Sequence, residues 1–139
     1  MERSTAADVP LPTHAQAQRF AEAVERLAAA EAGASRLDLD AWYELPAYDE
    51  ALEAAYRHEM VHGELTADGA AFDIDRINAR PEEQVGAMSA ARARHLVHWL
   101  YRNERASHGY GSPVREAIKS GVLQLAASKI AACCKLAAI

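Results

Sequence analysis

Helix-starting signals punctuate this chain at short intervals, each followed by apolar residues at helical spacing, and no segment makes a convincing strand. Thr13 and Gln16 have the spacing of a capping box, and Ala17, Phe20, Val24, Leu27 and Glu31 follow on one stripe that ends near Gly33. Pro46 opens a second helix, with Asp49 and Glu50 in its first turn and Gly63 as its expected terminator. Pro81, Glu82 and Glu83 start a short helix, and Ser89 caps another that runs to about Ser107. That helix carries Ala93, Leu96, Val97, Leu100 and Tyr101 as its core stripe. After a turn at residues 108–112, Ser112 and Pro113 open a final helix expected to reach nearly to the C-terminus. Abundant alanine and few aromatics favour the same class. The expected fold is all-α, a single-domain bundle of about five helices, with residues 1–12 as a flexible tail and 13–139 as the domain.

Between the first two helices, Leu37, Leu39, Trp42, Tyr43 and Leu45 make the connector too apolar for a free linker. It is expected to lie across the core with Trp42 as anchor. Residues 64–71 form a loop around Asp68 and Gly69, and Phe72 to Asp75 is either a short extended piece or the lead into a helical turn. The last helix has two apolar strips. One holds Ile118, Val122, Leu125, Lys129, Ala132, Leu136 and Ile139, the other Leu123, Ile130 and Cys133. Two strips need two neighbours, either within the bundle or on a second copy of the chain, which makes a homodimer through this helix one expected association. Cys133 and Cys134 are adjacent and point about 100 degrees apart on a helix, which suits small core residues better than a disulfide or a shared metal. No apolar run approaches the ~20 residues of a membrane helix, and the start is polar and proline-bearing, so a soluble cytoplasmic protein with no membrane partner is expected.

The net charge of -5 conceals an asymmetry. Residues 38–83 hold 13 carboxylates against Arg57, Arg76 and Arg80, a balance of -10, whereas residues 84–139 hold 8 bases and 2 acids, a balance of +6. The two stretches either fold against each other and neutralise, or leave a two-poled surface. In the second case Asp38, Asp40, Glu44, Asp49, Glu50 and Glu53 are the expected contact set for a basic protein surface. Arg94, His98, Arg102 and Arg105 fall on the side of their helix opposite its core stripe, a basic stripe expected to be a solvated face, with a site for phosphate or an acidic partner as the alternative. Direct nucleic-acid binding is not expected of the chain.

One short motif carries chemistry by itself. His58-Glu59-Met60-Val61-His62 matches the His-Glu-x-x-His pattern of zinc peptidases, in which two imidazoles on one helical face hold the metal and the carboxylate activates water. A catalytic zinc needs a third ligand, for which His95 is the preferred choice and His98, Glu64, Asp68, Asp73 and Asp75 are others. No residue at a recognisable offset after His62 supplies it. Gly109-Tyr110-Gly111 follows a helix rather than a strand, so it is no phosphate loop, and no serine or cysteine has a nucleophile's setting.

From Ala47 to about Ser128 the chain resembles a family of short bacterial and phage proteins, domain-of-unknown-function family 6508. The corresponding pieces, in order, are the amphipathic stretch Ala51 to Val61, Phe72-Asp73-Ile74, His95 to Leu100 with Arg102-Asn103-Glu104-Arg105, Gly109, and Ser120-Gly121-Val122-Leu123. Ile74 stands where the family often has Trp, and Ala106 where an aromatic usually follows the Arg-x-Glu-Arg element. The resemblance implies no enzymatic residues and does not include the His-Glu-x-x-His pattern. In the residue-level picture Glu104 faces the core, held by an arginine. The expected function is therefore non-enzymatic binding of a macromolecule without a cofactor, of the kind by which anti-CRISPR and other anti-defence proteins occupy a nucleic-acid-binding complex. The alternative is a small zinc hydrolase with Glu59 as base and His58, His62 and His95 as ligands.

Overall fold

The structure, a computed structural model, describes residues 9–33, 37–63, 65 and 72–137, and every regular element among them is a helix. The chain order is α1 (His14–Gly33), α2 (Leu39–Glu44), α3 (Pro46–Arg57), α4 (Ile74–Ala79), α5 (Pro81–Gly86), α6 (Ala90–Ser107), α7 (Pro113–Ser120) and α8 (Val122–Ala137). Eight helices among the described residues replace the expected five, for three local reasons. Asp38 accepts from Ala41 N at 2.8 Å and so turns the apolar connector into α2. Asp73 caps the Phe72 to Asp75 segment into α4 in the same way, accepting from Arg76 N at 3.2 Å. Gly121, at φ +92°, breaks the expected last helix into α7 and α8, since its N–H reaches back to Ala117 O and Ile118 O as a left-handed cap does.

The starts of the longer helices follow the sequence closely. Thr13 N donates to Gln16 Oε1 at 2.9 Å while Gln16 N donates to Thr13 Oγ1 at 3.2 Å, the reciprocal pair of a capping box. Ser89 caps α6 through Arg92 N at 3.1 Å. Helix α8 lies against α1 and α6, with α5 and α7 closing over it, and α3 covers the other side of α1. Phe20, Leu27, Leu96, Leu100, Leu123 and Ile130 meet in one continuous apolar cluster that also takes in Trp42 and Met60. Both apolar strips of α8 thus find neighbours inside the chain along most of its length, while Ala132 and, at the end, Leu136, 72% exposed, face outward. Lys129, on one of those strips, reaches over α5 and donates to Val85 O at 2.8 Å, to Gly86 O at 2.9 Å and to Met88 O. Its ammonium satisfies the carbonyls at the end of α5, a favourable place for a cation.

Residues 9–12 are not a free tail. Val9 and Pro12 are buried, Arg94 Nη1 donates to Pro10 O at 2.9 Å, and Cys134 Sγ donates to Pro12 O at 3.1 Å. Residues 1–8 and Ile139 lie outside the described residues. No helix among the described residues is long and apolar enough to cross a membrane.

Helix α3 ends at Arg57, six residues before Gly63, the expected terminator, and this changes the setting of the His-Glu-x-x-His motif. His58 is its C-cap, Glu59 takes φ +64°, and Met60 N returns to Ala55 O at 3.0 Å. That six-to-one bond after a left-handed residue is a Schellman closure, with Met60 buried beneath it as its apolar contact. An L-residue pays roughly 1–2 kcal/mol for the left-handed conformation, which glycine does not. Glu59→Gly is therefore expected to stabilise the protein by about 1 kcal/mol, read as a raised urea midpoint. Were residues 58–62 helical, the same change would destabilise by a similar amount.

Candidate functional site

The structure gathers its buried polar chemistry at the junction of α2, α3, α6 and the start of α7. Glu104, 1% exposed, is the centre. Tyr48 Oη donates to its Oε2 at 2.7 Å, Ser112 Oγ donates to the same carboxylate at 2.8 Å, and Val114 N donates to Oε1 at 3.1 Å. The expected arginine partner is absent from this set. A carboxylate only accepts, and here three donors face it, one of them an α7 backbone N–H at the positive end of that helix. Pro113 has no N–H to satisfy, so Glu104 on Val114 and Ser112 Oγ on Arg115 N, at 3.1 Å, complete the start of α7. Ser112 Oγ also accepts from Trp42 Nε1 at 3.0 Å. Burial, and then the hydrogen bond to Glu104, push the Tyr48 hydroxyl well above the usual phenol range, which keeps it a donor.

Trp42 and Tyr48 belong to α2 and α3, so this network holds the acidic elements against α6 and α7. Tyr43 adds a second tie: its hydroxyl donates to Gly111 O at 2.8 Å and accepts from Gly109 N at 3.2 Å, and its ring stacks on His108. A third tie is Arg115, which donates to Leu37 O at 2.6 Å and pairs with Glu31 at 3.3 Å. On the outer side of the clamped unit, residues 38–50 carry five carboxylates and no base.

The six acidic residues singled out from sequence divide into two groups. Glu50 pairs with Arg26 at 3.2 Å, and Glu53 pairs with Arg57. Both line a groove of about 270 Å³ between α1 and α3 with Arg19, Glu22 and His58, so this side is mixed in charge. Asp38, Asp40, Glu44 and Asp49 are exposed, and among the described residues none of them is in an ion pair. The basic stripe divides too. Arg94 and His98, at 1% and 2% exposure, are buried beneath the residue 9–12 strap and the segment after α3, while Arg102 and Arg105 remain exposed. The expected solvated face is thus a partly covered one, because the chain returns over it after α3. Arg105 lies over the Tyr56 ring at 6.0 Å.

The metal-ligand geometry read from the motif does not form. His58 and His62 stand on either side of the left-handed Glu59 rather than on successive turns of a helix, and among the described residues no three His, Cys, Asp or Glu side chains converge as a ligand set. Glu64 and Asp68 lie outside the described residues. Asp73 is occupied as the α4 cap, and Asp75 lies in that helix's first turn. His62 N donates to His98 Nδ1 at 3.1 Å, its Nε2 lies 3.8 Å from Glu59 Oε2, and the His95 ring sits edge-on to Phe72. These contacts fasten the segment after α3 to α6.

No family model matches the chain, and neither a curated protein nor a solved structure matches it.

Two measurements check this part of the molecule. Glu104→Ala strands three buried donors and should lose about 3 kcal/mol in chemical denaturation, although alanine is the better helix former. His98 supplies a pH dependence. Burial first, then His95, Arg102, Arg94 and His62, lower its pKa from 6.5 to about 4. Above pH 6.5 the folded and unfolded imidazoles are both neutral; as pH falls toward 4 the unfolded chain takes up a proton that the folded one refuses. Stability should therefore drop by about 1.4 kcal/mol per pH unit across that window, and His98→Gln should remove this component of the slope.

Proposed function

We propose that this is a non-enzymatic binding protein that docks its acidic α2–α3 end onto a basic protein surface. The observation that carries the proposal is the set Asp38, Asp40, Glu44 and Asp49, exposed, without ion-pair partners among the described residues, and mounted on elements pinned by the Glu104 network. Fixed carboxylates at such an end steer a basic partner toward it and disfavour acidic ones, and a rigid mount spares the ordering cost of binding. Glu50 and Glu53 contribute less, since docking would first have to part them from Arg26 and Arg57.

A basic groove that ordinarily takes nucleic acid is the partner whose chemistry fits best. The chain would then act as an anti-defence inhibitor of the anti-CRISPR type, in keeping with the resemblance of residues 47–128 to short bacterial and phage proteins. The zinc-hydrolase alternative draws no support from a motif whose two histidines are separated by a helix end.

The test is competition. The full chain is titrated against labelled target DNA bound to a panel of purified CRISPR effector complexes. Inhibition of at least one complex is expected, at least tenfold weaker for the Asp40→Lys/Asp49→Lys variant and falling as salt rises from low to above-physiological ionic strength. Inhibition that ignores both salt and charge reversal, or none across the panel, would overturn the assignment.

A further inference from the structure

Next to the acidic α2, across the turn that Tyr43 holds, α4, the latter half of α6 and the 108–113 turn line an open hollow of about 380 Å³. Its apolar lining comes from Ile74, Trp99, Tyr110 and Pro113, and Asp75 and Glu116 stand on it as exposed carboxylates in the first turns of α4 and α7. Tyr110 is the most exposed large apolar side chain among the described residues, at 94%. It is carried on a turn that Gly109, at φ +93°, and the Tyr43 hydrogen bonds hold in place. The Trp99 indole N–H is buried with no acceptor among the described residues. Neither Asp75 nor Glu116 is in an ion pair among the described residues.

Flat aromatic walls beside unpaired carboxylates define an occupant. A guanidinium is planar, stacks on aromatic faces, and meets carboxylates through its fork of donors, while the methylenes behind it lie along apolar surface. A nucleic-acid base would find the same aromatic rings, but its phosphates would face Asp75 and Glu116. A purely apolar side chain would leave both carboxylates without counterions. We infer that this hollow is a docking site for an arginine side chain presented by a protein partner, with Trp99 and Tyr110 as its aromatic walls and Asp75 and Glu116 as its counterions. The inference rests on the proposal that the partner is basic, and supplies that contact with a specific pocket, where the acidic end supplies attraction.

The experiment uses the isotopically labelled full chain and two blocked pentapeptides, Gly-Gly-Arg-Gly-Gly and its citrulline counterpart, which keeps the shape and loses the charge. The Trp99 indole N–H resonance and the Tyr110 and Gly111 amides are expected to shift saturably with the arginine peptide. Binding should be at least tenfold weaker with citrulline, with Asp75→Asn/Glu116→Gln, and with Tyr110→Ala, whose side chain is too exposed to affect folding. An unmoved indole, an equal response to citrulline, or indifference to the substitutions would overturn the site. Shifts confined to the amides of residues 38–49 would also overturn it, while leaving the acidic end intact as a binding surface; conversely, loss of that surface in the competition assay has no bearing on the peptide titration.

Discussion

The carboxylate of Glu104 is the constraint around which the other elements are arranged. A buried carboxylate without donors is several kcal/mol too costly for a domain of this size, so its burial obliges Tyr48, Ser112 and the first free N–H of α7 to converge on it. These donors come from two segments, Tyr48 from α3 and the other two from the start of α7. Their convergence fixes α3 and the 108–112 turn relative to α6, and Trp42, bonded to the same Ser112, brings α2 along. Apolar burial alone would hold these helices together but leave their sliding and rotation loosely specified. The polar junction removes that latitude at the end of the molecule where the unpaired carboxylates are displayed.

The charge asymmetry of the sequence resolves differently at its two poles. In the C-terminal stretch three of the eight bases are engaged within the fold: Arg94 reaches the backbone of the residue 9–12 strap, Arg115 joins Leu37 and Glu31, and Lys129 closes the end of α5. None of these three meets the carboxylates of α2. These three bases therefore do not neutralise the acidic pole: Arg94 and Lys129 satisfy carbonyl oxygens, and Arg115 a carbonyl oxygen and Glu31. Where α1 passes α3 opposite charges interleave, at Arg26 with Glu50 and beside Glu53 with Arg57.

Helix starts were legible in the sequence because their signals are local. Thr13 with Gln16, Pro46, Pro81, Ser89 and Ser112 with Pro113 each act within one turn, and each opens a helix here. Helix ends were not equally legible. Gly63 has the residue type that usually closes a helix, yet α3 closes at Glu59, where burying Met60 and completing the bond to Ala55 outweigh the strain of a left-handed glutamate. Gly121 lies within an apolar pattern that reads through it, and only its positive φ reveals the break. The burial of Arg94 and His98 was hidden for another reason: a basic residue opposite a core stripe is solvated unless something distant in sequence covers it, and the residue 9–12 strap and His62 do so.

The same distinction separates the parts of the candidate site. Composition located the acidic end, since a run of carboxylates without bases survives any fold that leaves it on the surface. It could not say which members are paired, because Arg26 meets Glu50 across 24 residues of chain. Nor could it pair Tyr48 with Glu104, whose contact spans 56 residues. The zinc pattern failed in the opposite sense: its spacing is meaningful only on a continuous helix, and one residue in the left-handed region between the two histidines removes the periodicity that gave the pattern its meaning. What the motif does in the fold is structural: His62 uses its backbone N–H to hold the neutral imidazole of His98, and the segment after α3 becomes a cover for α6.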